Sequence, residues 1–482
     1  MSSTATGTTS AELRARLGHP VIDGDGHYID LRVPFVDFVR DHGHGSLVEG
    51  GSPFSGLAPG PSPLSWRDLS PTERNHVRQP APPFWIAPGD TEYFATVTTA
   101  SLYHERLGEA GIDFAVLYAT QGFGLHHIAD DERRVTLCRL FNEYLAEQYL
   151  PYADRLTPAA IVPMHTPAEA VAALEHAKSI GLKVANIPSY VWRPIPATAG
   201  APPELAPRLR FIDTFGIDSD HDYDPVWAKA VELGMPLACH SVAMGFTDRA
   251  STSNYMYNHI GHFAAAGEAL AKSLFFGGVT RRFPQLRVAL LEGGVAVGVR
   301  LFIDIVARWN KRGGPVLGRL NPANIDPIAL GALYERHSPE RFANYDAASL
   351  ALSMGHPSEI ERDDFALTGV RSVEDIRDAF CPNFFWGCEA DDPLVGLAFD
   401  ERLTPLGARV PAVMGSDIGH WDVPDFDEPL AEAYELVERG ILDHEQLRDF
   451  VFTEPVRLYA GADPTFFAGT VVEREVRALL GR

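Results

Sequence analysis

Pro20-Val21-Ile22-Asp23-Gly24-Asp25-Gly26-His27 lies near the start of the chain and runs a short apolar lead straight into two carboxylates and an imidazole. Alternate residues of an extended strand share a face, so Asp23, Asp25 and His27 are placed to point one way. The interleaved glycines leave room above them. Two hard oxygens and a nitrogen suit a divalent transition metal. The competing reading is an Asp/Gly turn with a surface histidine, and the rest of the chain has to decide between them.

The same pattern of an apolar strand closed by a ligand-type residue returns along the chain. Ile112 to Tyr118 reads as a buried strand followed by a helix around Glu132 to Tyr149. Leu156 to Val162 and Leu182 to Ile187 follow as strands, separated by a helix over Pro167 to Ile180 with Pro at its first turn and Gly181 past its end. Met235 to His240 is a strand ending on a histidine, and Leu286 to Gly294 one ending on Glu292 and two glycines. Phe380 to Gly387 leads to Cys388-Glu389, and Ala408 to Asp417 is followed by Ile418-Gly419-His420. Eight strands alternating with helices predict a (β/α)8 TIM barrel. Gly43 to Pro88, Pro188 to Pro207 and Gly313 to Arg377 read as long insertions in its βα loops. Asp25 and His27, His240, Glu292 and Asp417 then gather at the C-terminal ends of separate strands, where barrel active sites are assembled.

Composition narrows the function. The 482 residues carry 64 Asp and Glu against 41 Lys and Arg, a formal charge of -23, and no basic run, so nucleic acid is not an expected partner. Four scattered cysteines without a CxxC pair make neither a disulfide framework nor a cysteine zinc site, which suits a cytoplasmic protein. No apolar run approaches the roughly 20 residues needed to cross a bilayer. Residues 1–17 are expected to be a disordered tail and residues 18–482 a single decorated barrel domain.

In Val21 to His27, His240, Arg282-Phe283-Pro284-Gln285-Leu286-Arg287-Val288, Leu291-Glu292-Gly293-Gly294 and Gly415-Ser416-Asp417-Ile418-Gly419-His420 the chain resembles the amidohydrolase superfamily. The nearer likeness is to its amidohydrolase-2 branch, which includes aminocarboxymuconate-semialdehyde decarboxylase and resorcylate-type decarboxylases. The resemblance spans roughly residues 20–460. It implies a first ligand pair at Asp25 and His27, a histidine ligand at His240, an aspartate at Asp417 and His420 as its follower. The departure is Glu292, where the decarboxylases carry a histidine that serves the chemistry.

Asp25, Glu292 and Asp417 would put three carboxylates at close range, which calls for compensating positive charge, supplied by one or two divalent ions. Iron and zinc fit such mixed ligation, as does manganese. His259 and His262, spaced i and i+3, are candidates for further nitrogen ligands, with Glu389 another candidate and Asp23 either a ligand or a partner orienting His27. Glu292, Asp417 and His420 are the candidate catalytic residues. Such a centre activates water for hydrolysis of an amide, ester or thioester. The resemblance extends to a diiron branch in actinobacterial secondary metabolism that hydrolyses acyl-CoA thioesters in platensimycin and platencin biosynthesis, so a small-molecule substrate such as an acyl-CoA and a thioesterase activity are expected, in a homo-oligomer. The second reading is metal-dependent, non-oxidative decarboxylation of a small carboxylic acid. Phe84, Trp85, Trp192 and Trp386 are candidate walls for the substrate or, alternatively, core residues. A serine nucleophile finds no support, because Ser241 and Ser416 lack the Gly-x-Ser-x-Gly elbow.

Overall fold

The computed structural model describes residues 7–49, 53–54, 63–76, 89–202, 209–240, 251–352 and 363–481. Phe84, Trp85 and Ser241 lie outside the described residues. Eight parallel strands form the sheet: β1 (Ile22–Tyr28), β2 (Phe114–Ala119), β3 (Leu156–Ile161), β4 (Val184–Ile187), β7 (Leu237–Cys239), β8 (Val288–Leu290), β9 (Phe384–Glu389) and β10 (Ala412–Gly415), adjacent in that order. The gap in numbering is filled by a two-stranded antiparallel ribbon, β5 (Val191–Pro194) with β6 (Arg210–Asp213).

Closure between β1 and β10 is made by backbone bonds: Asp417 N–H donates to the Asp25 carbonyl at 3.0 Å and His27 N–H to that of Ile418 at 2.9 Å. Glycine permits this approach, since a Cβ on Gly24 would fall 2.3 Å from Val413 Cγ1. The sheet is thus the (β/α)8 barrel that the strand count predicts. Its strands are buried on both faces, as expected where helices pack outside and side chains fill the interior.

The helices between strands follow their punctuation. Asp131–Tyr149 starts on Asp130, whose carboxylate accepts from Arg133 N–H, and it buries Leu137, Phe141 and Leu145 at helical spacing. Pro167–Ser179 has Pro in its first turn and Thr166 as its cap. Asp224–Leu233 ends on Gly234 in the left-handed conformation.

The helix Val295–Arg312 sits over Trp386, which is fully buried; this tryptophan is core, not substrate wall. A Cβ on Gly298 would lie 2.4 Å from Trp386 Cε2. Gly298→Ala is therefore expected to destabilise the fold in urea titrations, because about 1–3 kcal/mol of overpacking exceeds the up to ~1 kcal/mol that alanine gains in helix propensity.

Two expectations need correction. The predicted disordered tail includes a helix, Ser10–Arg16, with a Thr9/Glu12 capping box; Leu13 is buried and Ser10 Oγ accepts from Ala431 N–H. The insertion after β4 contains the β5/β6 ribbon, whose four-residue strands lie too far apart in sequence to read as a hairpin. All four cysteines are free. Among the described residues no helix is long and apolar enough to cross a membrane.

Candidate metal centre

β1 does not run straight through its ligand cluster. Its register against β2 shifts between Asp23 and Gly26, so the strand carries one extra residue there and the alternation of faces is broken. Asp23 consequently turns away from the imidazoles. Its Oδ1 accepts from Asp25 N–H and Ser416 N–H, both at 3.0 Å, and its Oδ2 from Ser416 Oγ at 2.6 Å. It staples β1 to the segment after β10 rather than sharing a face with Asp25 and His27.

Asp25 and His27 do meet residues from other strand ends. His27 Nε2 lies 3.1 Å from His240 Nε2, 3.3 Å from Asp417 Oδ1 and 3.6 Å from Asp25 Oδ1. His240 Nε2 is 2.8 Å from Glu292 Oε2 and 3.8 Å from Asp25 Oδ1. Asp25, His27 and His240 have donor atoms within 4.8 Å of one another, as do His27, Glu292, Asp417 and His420. Glu292 also belongs to a third such group, with His259 and Asp422. Asp422, two residues past His420, escaped the sequence reading because it lies beyond the strand end that drew attention.

The backbone presents two of these carboxylates at a cost. Among the described residues only five non-glycine residues have positive φ, and they include Glu292 (57°) and Asp417 (50°). The left-handed region costs an ordinary residue roughly 1–2 kcal/mol. Such strain collects where side chains must be aimed at a functional site.

Electrostatics agree with a cation-binding role. Burial, with Asp23 and Glu389 nearby, pushes the Asp25 carboxyl well up. Burial and then Glu389, Asp25 and Asp422 do the same to Glu292, and burial followed by Glu292 and Glu389 to Asp417. Burial first, and then the neighbouring imidazoles His420 and His240, holds His27 neutral. His240 is lowered to about 3, mainly by burial. Asp25 Oδ1, Glu292 Oε2 and Asp417 Oδ2 are buried without a hydrogen-bond partner. Unpartnered carboxylate oxygens facing the lone pairs of neutral imidazoles form a donor set that fits a divalent cation.

Other residues frame this set. His420 Nδ1 is 2.5 Å from Asp417 Oδ1, and its Nε2 is 3.2 Å from Thr120 Oγ1 at the end of β2. Thr120 N–H and Gln121 N–H donate to Asp30 Oδ1 at 2.8 and 3.0 Å. His259 Nδ1 lies 3.2 Å from the Tyr255 hydroxyl, which accepts from Trp421 Nε1. That contact leaves Nε2 of His259 toward Asp422, at 3.9 Å. His262 is buried against Phe263 and close enough to lower the His240 pKa, but it belongs to none of the three donor groups. Glu389 is half-buried beside the centre and likewise outside them.

Burial raises the Asp30 carboxyl from 3.8 to about 6. The folded chain therefore holds this proton more tightly than the unfolded one, and stability falls as pH rises from about 4 to about 6. Asp30→Asn keeps an acceptor for both amides. It is expected to stabilise the fold by up to ~3 kcal/mol above pH 6 and by nothing below pH 4, as read from urea unfolding at the two pH values.

Comparison with known proteins bears on this geometry. Residues 107–342 match the amidohydrolase family model. The matched segment runs from just before β2 past β8 and includes His240 and Glu292. A crystal structure of an amidohydrolase from Mycobacterium avium subsp. paratuberculosis is similar over 92% of this chain and 100% of its own, at 16% identity and a TM-score of 0.54. That likeness shows the barrel fold. Dihydroxybenzoic acid decarboxylase from a Polaromonas species, solved with manganese and 2-nitroresorcinol, aligns over 92% of this chain and 97% of its own, at 14% identity and a TM-score of 0.48. For 5-carboxyvanillate decarboxylase from Novosphingobium aromaticivorans, solved with manganese and 4-hydroxy-3-methoxy-5-nitrobenzoic acid, the shares are 92% and 96%, at 15% identity and a TM-score of 0.45. The comparison with curated proteins found no match.

Proposed function

We propose that this chain is a metal-dependent lyase that removes carbon dioxide, without redox chemistry, from a small carboxylic acid. The observation that carries this reading is the placement of Glu292. Decarboxylation requires an acid to protonate the carbon that loses its carboxylate, and the histidine expected for that task on this strand is absent. Glu292 supplies a carboxyl group there, buried, aimed by a left-handed backbone and 2.8 Å from His240 Nε2. Burial and the neighbouring Glu389, Asp25 and Asp422 displace its pKa upward, the direction that favours the protonated form an acid needs.

Asp25, His27, His240 and Asp417 are the residues that would hold the ion. When bound, a divalent cation supplies positive charge and polarises the substrate oxygen beside the scissile bond. The chain's own part in the step is proton delivery. The carbon–carboxylate bond breaks, carbon dioxide departs, and the electron pair left on carbon takes the proton from the Glu292 carboxyl, which ends as carboxylate and is reprotonated from solvent. His420, fixed between Asp417 and Thr120, holds the Asp417 carboxylate in place.

One observation favours a second reading. Glu292 is shared with the outer His259/Asp422 group, which gives the centre donors for a second ion and, with Asp417 as the base, a route to hydrolysis of a thioester, amide or ester, acyl-CoA included. Iron, zinc and manganese all suit these donors. The test is to load the protein with manganese and assay hydroxybenzoic and aliphatic acids for carbon dioxide, alongside acyl-CoA thioesters, amides and esters for released thiol, amine or acid. Carbon dioxide release is the expected result. Thiol or amine release with no carbon dioxide from any acid would replace the lyase reading with the hydrolytic one.

A further inference from the structure

The β5/β6 ribbon leaves the barrel three residues after β4 and stands on the same face as the donor set. Its two arginines are treated differently. Arg193 is saturated, its guanidinium donating to Asp213, the Tyr223 hydroxyl and the His165 carbonyl. The Arg210 guanidinium makes no ion pair or hydrogen bond among the described residues, in a chain with 64 carboxylates. Its Cζ lies over the Trp192 ring, 3.7 Å from the centroid. Trp192 meets Tyr190 edge to face at 5.3 Å, and Tyr190 lies 5.8 Å from the His127 ring. Arg210 acts electrostatically on both Tyr190 and His127.

This patch shares its walls with the donor set. Tyr190 packs on Ala266, one turn along the helix His262–Phe276, which begins beside His240. His126, next to His127, lies 3.2 Å from the Asn186 carbonyl through Nε2, and Asn186 Oδ1 accepts from His240 N–H. We propose that Arg210, stacked on Trp192 beside Tyr190 and His127, is an anion subsite that holds a carboxylate or phosphate of the substrate away from its reacting carbon.

Several physical features fit that task. A planar guanidinium offers paired donors matched to an oxyanion, and the indole face fixes its plane while leaving the fork open. His127 is kept neutral by burial and then by Arg210, so it adds a polar contact without a second charge. An anionic substrate approaching a chain of charge -23 and a carboxylate-rich centre needs a local cation to hold it. What the anion is attached to rests on the reading of the centre given above; the subsite itself rests on the ribbon.

The experiment titrates inorganic phosphate and adipate into the manganese-loaded protein by calorimetry, in wild type, R210Q, R210K and H240A. Saturable binding of at least one anion is expected, weakened about tenfold or more in R210Q, as for loss of a charge-assisted hydrogen bond, and retained in H240A. Tighter phosphate binding assigns the anion to a phosphorylated carrier, tighter adipate binding to a second carboxylate. If R210Q does not fold, R210K carries the test, with loss of the planar fork expected to weaken binding at least about threefold. No saturable binding by wild type, or affinity unchanged in the folded Arg210 variant, overturns the subsite. Anion binding that behaves as expected with no carbon dioxide from any acid would instead overturn the lyase reading and leave the subsite standing.

Discussion

Glu292→Gln is expected to cut turnover by about 10²–10⁴ while leaving the ion bound, the range general acid catalysis contributes. Glutamine preserves the length of the side chain and an oxygen that can face His240, but it cannot give up a proton to carbon. The buried carboxyl sits among Asp25, Glu389 and Asp422, all of which oppose its ionisation. Removing it should therefore not destabilise the fold at neutral pH. Single-turnover carbon dioxide release, paired with elemental analysis of the same sample, reads both consequences. Full turnover in a metal-loaded Glu292→Gln protein would show that this carboxyl takes no part in the proton transfer.

Removal of the ion is expected to abolish turnover and weaken the fold together. Without a cation, Asp25 and Asp417, the two carboxylates that would hold it, must take up protons or repel their acidic neighbours, the direction in which both are displaced. At an ion concentration a hundredfold above its dissociation constant, binding stabilises the native state by about 2.7 kcal/mol. Dialysis against a chelator should lower the urea midpoint by the equivalent of that energy, and manganese added back should restore midpoint and turnover alike. Turnover that survives complete removal would contradict any metal-dependent reading.

Much of this architecture is legible in the sequence because parallel strands buried on both faces must be written as apolar runs, and their catalytic ends as sudden polar residues. Val288–Leu290 followed by Glu292, and Ala412–Gly415 followed by Asp417, announce both strand and site. Strand ends are shorter than the apolar runs, since Met235 and Leu286 are buried outside the ladder. Asp23 was not separable from Asp25 by alternation, because a one-residue bulge leaves no mark on composition. Asp422 and Arg210 were invisible for another reason. Each owes its importance to residues distant in sequence: Asp422 to His259 and Glu292, Arg210 to His127 and the opposite strand of a ribbon interrupted by a proline-rich stretch. Thr120 lay within reach, because it comes two residues after a predicted strand whose end is on the catalytic face.

The central claim is that His27 and His240, from strands β1 and β7, bind one ion together with carboxylates. X-ray absorption at the manganese edge of the loaded protein tests it most directly. The expected spectrum contains multiple scattering from two imidazoles in an otherwise oxygen shell, one of them lost in H240A. An all-oxygen shell in the wild type, or a spectrum unchanged by H240A, would contradict it.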